Sequence, residues 1–522
     1  MNTSGQGNHL RGASFVTALI VGTLVLWTPS PVRRADATEA SPTTITFVVT
    51  VPKNTPSGDT ISVENFQPEG VRAYRMKKVS GRTYRISFSS NQLERGTNGR
   101  YHYRYVRNRA GFHGAEYIAP DDFAYREKRL GRSIPYNRVL AGGVERDTIR
   151  RWRWFPPGNQ PVERRSQLDP SGPLLPRVNE IAFRSGQGIM DYWIPAFDPF
   201  VTPTARHLNR LGNGWVAFFP PWQWIKQDPL PIVGNERELG LGDSPNYPND
   251  AKLIEHIQAF QRAGLKIHLA PQICCTTIKT ADRSPAWWEQ YFSEVERFVL
   301  HHARIAQKAR VDSFMVDLFE ARQSGLPDLQ ARVDGLVSKV RDIYKGELGS
   351  ILWLSGAAPE TAIIFPSVDE LAMVKDVDFY LAITTAAISA NDTPADEELN
   401  VGAGRVLDAT KELYETTGKP TIVLLQSYGV QQAWKGDAFI QTKPVPGAGD
   451  NATSGKFHRF SGQDQARVVH AYFEALRDRP WVIGAWHFGY EFWEYPLLPD
   501  WSIRGGPAED VFRKWNRVIA GN

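Results

Sequence analysis

Acidic residues follow strand-like segments of this 522-residue chain in a pattern that suits acid–base chemistry. Asp317 comes directly after the segment Val311–Val316, and Glu320 lies three residues further on. Glu491 lies among aromatic residues near the end of the chain. Hydrolysis of a glycosidic bond needs two carboxyl groups across that bond, one as an acid and one as a nucleophile or base. We therefore predict Asp317, Glu320 and Glu491 as catalytic residues.

Polar and aromatic residues at similar positions form a candidate binding set. The chain has 16 Trp, and 11% of its residues are aromatic. Indole rings offer stacking surfaces for sugar rings, although large barrels also bury many aromatic residues. The predicted substrate-binding residues are Asp191, Trp222, Trp224, Gln272, Gln426, Trp486, His487 and Trp493. We expect no metal and no other cofactor, since the sequence has no metal-type His cluster, nucleophile-elbow Ser or phosphate-binding Gly loop.

Alternating strand and helix signals from Asn179 to Asn522 must position these residues. Amphipathic stripes, with helix caps such as Ser284-Pro285, separate eight apolar segments. The segments are Gly188–Ile194, Gly214–Phe219, Leu265–Ala270, Val311–Asp317, Ser350–Leu354, Val377–Ile383, Pro420–Leu425 and Trp481–Phe488. This pattern predicts an α/β fold, a (β/α)8 TIM barrel with its chemistry at the carboxyl ends of the strands.

The region before the barrel has a different pattern. Short alternating segments within residues 43–155, bounded by turn clusters, predict an all-β sandwich. Residues 156–178, rich in Pro and Gly, predict a linker or an extended arm against the next domain. The chain is therefore expected to be multidomain, with the catalytic barrel at residues 179–522.

Charge is distributed unevenly between these regions. Residues 43–165 hold 23 Lys/Arg against 11 Asp/Glu, whereas the rest of the chain from Ser166 onward holds 35 against 43. A basic unit can bind nucleic acid or an anionic wall polymer, but a solvated Arg-rich surface is the simpler interpretation. No zinc finger, RNP-type segment or P-loop occurs, so we expect no nucleic-acid partner.

The first 37 residues predict a signal peptide. Arg11 precedes an apolar run at Ala13–Trp27, and Ala35-Asp36-Ala37 offers a small-x-small cleavage site. The run is shorter than the roughly 20 residues of a membrane span. We expect cleavage after Ala37, a secreted or periplasmic protein and no stable membrane insertion afterwards; an uncleaved anchor is the alternative.

The two cysteines are adjacent, Cys274 and Cys275, at the end of the third predicted strand. Export to an oxidising compartment favours a disulfide, and neither has another possible partner in the chain. A vicinal disulfide lining the cleft is the hypothesis. Two packed free thiols are the alternative.

Five segments resemble (β/α)8 glycoside hydrolases of the family 113 and endomannanase type. They are residues 213–225, 257–272, 287–321, 419–429 and 481–493. The resemblance implies catalytic Glu residues after the fourth and seventh strands. This chain has Gln426 after the seventh, and Asp317 precedes the offset Glu320 after the fourth. The segment 311–320 is also similar to the nucleophile segment of α-glycosidase barrels, which would make Asp317 the nucleophile. The acid would then be Glu360, Asp392 or Glu491, of which Glu491 is favoured by its aromatic surroundings.

The β-rich region carries a second resemblance. Four of its segments are similar to starch-binding (CBM20-like) carbohydrate-binding modules. They are residues 46–63 and 101–108 and the segments around 131–140 and 147–152. Such modules present Trp to glucan, whereas this region offers Tyr84 and Phe112 near the matching places. A purely structural sandwich is therefore an equal alternative to a binding module.

Two functions follow from these patterns. The first is an exported glycoside hydrolase that acts on a poly- or oligosaccharide. The second is a non-catalytic glycan-binding barrel that has lost the carboxylate of the seventh strand.

Overall fold

The computed structural model describes residues 44–53, 55, 58–67, 70–93, 101–107, 116–117, 125–127, 132–134, 138–140, 143–152, 165–189, 198–234, 249–273, 278–317, 321, 324–372, 374, 376–442, 461–492 and 501–521. The predicted signal peptide lies outside these residues. No helix in the described ranges is long and apolar enough to span a membrane.

The N-terminal region contains strands in several sheets. Its strands are β1 Thr44–Thr50, β2 Ile61–Gln67, β3 Gly70–Arg75, β4 Lys77–Ser80, β5 Thr83–Ser89, β6 His102–Arg107, β7 Glu116–Tyr117, β8 Tyr125–Glu127, β9 Arg132–Ile134, β10 Arg138–Val139, β11 Val144–Thr148 and β12 Arg151–Trp152. One four-stranded sheet has the order β11-β1-β5-β4 and the other β10-β6-β2-β3, while β7 pairs with β12 and β8 with β9.

Alternate apolar side chains of several of these strands meet in one core. Phe47 of the first sheet and Val63 and Tyr105 of the second belong to a single buried cluster that also contains Trp152. Burial of such side chains is the main favourable contribution to folding. Strands in several sheets are therefore present, while the sandwich architecture itself stays a prediction. Tyr84, one of two candidate glucan contacts, is only 5% exposed and belongs to this core, and Phe112 lies outside the described residues.

Residues 165–178 form an extended arm along the barrel. Arg177 is buried, and its Nη1 donates to the carbonyl oxygens of Leu476 at 3.0 Å, Arg479 at 3.0 Å and Val482 at 3.2 Å. Leu476 is the last residue of a helix, whose terminal carbonyl groups attract a cation. The Arg177 guanidinium thus joins the arm to the segment between this helix and the strand that follows it.

We expect Arg177→Ala to lower the free energy of unfolding by about 3 kcal/mol, because buried carbonyl groups lose a charged donor. Urea unfolding at pH 7 measures the change. Arg405→Ala, which removes an exposed guanidinium, is the matched control and should change stability by less than about 0.5 kcal/mol. Equal stability of the two variants would show that the arm is not held by Arg177.

The barrel region alternates strands and helices. Its strands are β13 Arg184–Ile189, β14 Trp215–Phe218, β15 Pro221–Lys226, β16 Ile232–Gly234, β17 Lys266–Leu269, β18 Gln272–Ile273, β19 Ser313–Met315, β20 Glu347–Ser355, β21 Ile363–Phe365, β22 Phe379–Thr384, β23 Thr421–Leu425 and β24 Val482–Tyr490. Its α-helices are α1 Asp198–Arg210, α2 Asp250–Arg262, α3 Pro285–Ala309, α4 Leu329–Ile343, α5 Val368–Ala372, α6 Asp396–Thr417, α7 Gly436–Thr442, α8 Gly462–Leu476 and α9 Pro507–Ile519.

Eight of these strands close into a parallel barrel. The order is β13, β14, β17, β19, β20, β22, β23 and β24, and β24 pairs with β13. The predicted (β/α)8 barrel is confirmed. Inward-pointing side chains alternate with side chains that face the helices, as the strand period of two requires. The inward set includes Trp215, Ala217, Phe219, Ala270, Met315, Ile351, Phe379, Leu381, Ile383, Ile422, Leu424, Ile483 and Trp486.

Candidate active site

Asp317 lies at the carboxyl end of β19, where chemistry occurs in barrels of this kind. Met315, two residues earlier, points into the barrel, so strand alternation directs Asp317 to the same side. The Val316 N–H donates to the carbonyl oxygen of Gly349 at 2.8 Å, which ties this segment to β20. Asp317 is half-buried. A carboxylate with partial access at this position can meet a substrate from solvent.

We call the carboxyl ends of the barrel strands the mouth. Two glutamines lie on its inner side, as Asp317 does. Gln272 follows the inward-pointing Ala270, and Gln426 follows the inward-pointing Leu424. Both side chains are half-buried. The Gln272 N–H donates to the carbonyl oxygen of Pro220 at 3.1 Å, and the Gln426 N–H donates to that of Thr384 at 3.3 Å, so each glutamine is tied to a neighbouring strand end. Their amide groups can donate to and accept from sugar hydroxyls. Asp317, Gln272 and Gln426 are therefore the predicted residues that alternation brings to one inner surface.

Trp222 and Trp224 do not line this surface. Both are on β15, which forms a hairpin with β16 next to α3, and they are 4% and 3% exposed. Trp222 lies edge-on to Phe298 with ring centroids 5.3 Å apart, and Trp224 stacks on Tyr291 at 5.0 Å. The hairpin turns both rings against the helix, which leaves little of either ring accessible to a sugar in this structure.

Trp486 and His487 are also buried among other side chains of the barrel. Trp486 is fully buried inside the barrel, where its ring stacks on Trp215 with centroids 6.0 Å apart. His487 points the other way and its Nε2 lies 2.8 Å from the Ser427 hydroxyl oxygen. Burial lowers the pKa of His487 to about 3, so its ring is neutral at pH 7.

Glu491 follows β24 and is 1% exposed. Its backbone N–H donates to the Ser502 hydroxyl at 3.2 Å, and its carbonyl oxygen accepts from Arg504 at 2.8 Å. These two bonds fix the backbone that carries the carboxyl group. Burial of a carboxyl group is the situation in which it can be tuned for proton transfer.

The other acid candidates are at the surface. Glu360 is exposed on the loop after β20. Asp392 is exposed after β22 and forms an ion pair with Lys435. The hydrogen bond from Lys435 lowers the pKa of Asp392, which favours the carboxylate and not the acid. Five of the predicted site residues lie outside the described residues, namely Asp191, Cys274, Cys275, Glu320 and Trp493.

Asp437 is a further acidic residue near the mouth, and no sequence pattern predicted it. It lies at the start of α7, on the loop after β23, and its backbone N–H donates to Thr385 at 3.1 Å. Its Oδ1 atom is buried, and none of the described residues offers it a hydrogen bond. Burial raises the pKa of Asp437 to about 7, far above its usual value. The preceding Gly436, with φ of 68°, permits the close approach, because a Cβ there would lie 2.6 Å from the Thr385 oxygen.

This raised pKa predicts a pH-dependent stability. The unfolded carboxyl loses its proton near pH 4 and the folded one near pH 7, so Asp437 weakens folding progressively as the pH rises through this window. We expect the stability of Asp437→Asn, relative to that of the unmodified protein, to increase by about 3 kcal/mol when the pH is raised from 5 to 8. Urea unfolding of both proteins at the two pH values measures this gain. A difference between the proteins that does not change with pH would contradict the raised pKa.

Comparison with known proteins adds the enzyme class. The sequence model of Glycoside Hydrolase Family 113 matches residues 242–399. This span contains β17, β19, β20 and β22 and therefore includes Asp317, but it ends before Gln426. The barrel is that of a glycoside hydrolase. The enzyme class predicted from the carboxyl groups is thus confirmed, whereas their individual roles stay predictions.

Several solved barrels are similar to this chain. A complex structure of a GH113 β-1,4-mannanase is 17% identical, covers 65% of this chain and 98% of its own, and has a TM-score of 0.47. The GH113 β-mannanase AaManA from Alicyclobacillus acidocaldarius, in complex with ManMIm, is 17% identical with coverage of 65% and 99% and a TM-score of 0.47. No curated protein matches the chain.

Proposed function

We propose that the protein is an exported glycoside hydrolase that cleaves a poly- or oligosaccharide at the mouth of its barrel with a pair of carboxyl groups. The observation that carries the proposal is the position of Asp317 after β19, on the inner side of the barrel and inside the segment that matches the glycoside hydrolase family. Asp317 acts as the nucleophile or base. Gln272 and Gln426, on the same inner side, hold sugar hydroxyls.

The proton donor is one of two carboxyl groups at the ends of neighbouring strands. Glu491 is buried after β24, and Asp437 lies on the loop after β23. A pKa of about 7 keeps Asp437 protonated in mildly acidic solution, as a general acid requires. If Asp437 is the donor, the fall in kcat/KM on the alkaline side, centred near pH 7, disappears in Asp437→Asn. If Glu491 is the donor, the dependence of kcat/KM on pH is the same in Asp437→Asn as in the unmodified protein.

The remaining parts of the chain fit an exported enzyme. The first 37 residues would direct export and be removed, which gives a secreted or periplasmic protein. The N-terminal region, from residue 43 to 155, would act as a carbohydrate-binding module or as a structural support. Tyr84 is buried, so glycan binding by this region would have to use other residues.

A non-catalytic glycan-binding barrel is the second candidate, and one observation favours it. Gln426 lies at the carboxyl end of β23. Enzymes of the family that this chain resembles have a catalytic glutamate at that position. An amide cannot replace a carboxylate as nucleophile or base. This candidate predicts binding of a glycan without turnover.

Incubation of the purified protein with α- and β-linked poly- and oligosaccharides, including β-1,4-mannan and starch, separates the two candidates. New reducing ends and new products on at least one glycan are expected for the hydrolase. Calorimetric binding of a glycan that is never cleaved would instead support the binding barrel.

A further inference from the structure

A short hairpin extends the barrel wall directly above Asp317. β20 pairs with β19 through residues 347–349 and with β21 through residues 353–355, while β22 covers its other edge. β21 therefore occupies the same edge of β20 as β19, further towards the mouth. Continuing the register of β19 places Asp317 at the level of Ile351. The next inward-facing residue of β20 is Trp353, about 7 Å further along the strand, and it pairs with the last residue of β21.

The pairing also shows which way the side chains of β21 point. Phe365 lies opposite Trp353, and residues directly opposite in an antiparallel pair share a face. Trp353 packs against the inner cluster of the barrel, whereas Ile364 packs against the cluster under the helices. Phe365 therefore lies on the inner side of the wall, and so does Ile363.

These inner positions are unusually exposed for apolar side chains. Phe365 is 56% and Ile363 is 51% exposed, and Trp353 between them and the barrel is half-buried. A scattered exposed apolar residue needs no explanation, but adjacent ones beside a candidate catalytic carboxylate form a patch. The patch is continuous with the mouth and has the hydroxyl of half-buried Ser355 at its edge.

We propose that Phe365, supported by Trp353, is a stacking platform for a pyranose ring of the substrate next to the bond that is cleaved. The axial C–H groups of a sugar present an apolar face that matches an aromatic ring, and the hydroxyls around its edge can reach water or Ser355. This inference rests on the proposed function, since a glycan must occupy the mouth. The sequence patterns did not indicate this binding position.

The kinetic test replaces the ring on the full-length protein. Phe365→Ala should raise KM about tenfold and lower kcat by less than about threefold, because it removes binding that is equal in the ground and transition states. Phe365→Trp should keep KM within about twofold of the unmodified value, since a larger ring still stacks. Leu175→Ala removes an equally exposed apolar side chain, 54% exposed on the arm, and should change neither constant.

A binding test separates this proposal from the proposed function. Calorimetry with the best oligosaccharide compares Asp317→Asn alone with the double variant that also carries Phe365→Ala. About tenfold weaker binding by the double variant supports the platform even if the unmodified protein cleaves nothing. Unchanged affinity together with an unchanged KM would overturn the platform, although turnover of the glycan would still support the hydrolase. The absence of any glycan binding would also overturn the platform.

Discussion

Asp317→Asn is expected to lower kcat by about a thousandfold or more and to leave the fold intact. The carboxylate would stabilise positive charge or form a bond to the sugar in the transition state, and the amide can do neither. A thousandfold loss corresponds to about 4 kcal/mol of activation free energy. Binding of substrate should change much less, because the side chains have the same shape.

Initial rates with the best glycan of the panel measure this effect, with circular dichroism and urea unfolding as checks of the fold. Asp342→Asn is the matched control, since it neutralises an exposed carboxylate on α4 and should retain full activity. Unmodified rates in a correctly folded Asp317→Asn protein would remove Asp317 from the catalytic machinery.

The second large effect is loss of stability in acid. His268, His302 and His487 are buried, and burial lowers the pKa of each to about 3. The unfolded state binds protons at these rings near pH 6.5, so their contribution to stability is present above that pH and is lost as the pH falls towards 3. Together they should cost several kcal/mol on going from pH 7 to pH 4.5.

Urea unfolding at pH 7, 6 and 4.5 measures this loss. Asp437 acts in the opposite direction over the same window, but it is one group against three. Repeating the series with His302→Gln should give a smaller loss between pH 7 and pH 4.5, because one proton-binding difference is removed. A free energy of unfolding that stays constant from pH 7 to pH 4.5 would show that these rings titrate normally.

The barrel was readable from the sequence because its signals are local and repeated. Each apolar strand is followed by an amphipathic helix, and some of these helices have recognisable caps. Ser284 caps α3, because its side chain accepts from the Trp287 N–H at 3.2 Å. The cap of α2 is Asn249, which accepts from the Lys252 N–H and is followed by the equally polar Asp250. Adjacent polar residues before a helix compete for the same cap, and the sequence does not choose between them.

The site was harder to predict because orientation depends on tertiary pairing. Trp222 and Trp224 follow a barrel strand in sequence, but a hairpin turns them against α3, and no local pattern announces that turn. The position of Phe365 depends on which edge of β20 its short strand joins. Asp437 became a candidate because its carboxyl oxygen is buried, in a loop whose backbone bonds to Thr385, 52 residues away in sequence. Asp317, by contrast, required only strand alternation.

A crystal structure of Asp317→Asn with its best oligosaccharide would show which side chains surround the scissile bond. We expect a sugar chain across the mouth, with the scissile oxygen between residue 317 and a second carboxyl group and with a pyranose ring on Phe365. An oligosaccharide bound only to the N-terminal region, or a mouth in which no second carboxyl group lies within about 10 Å of residue 317, would contradict this expectation.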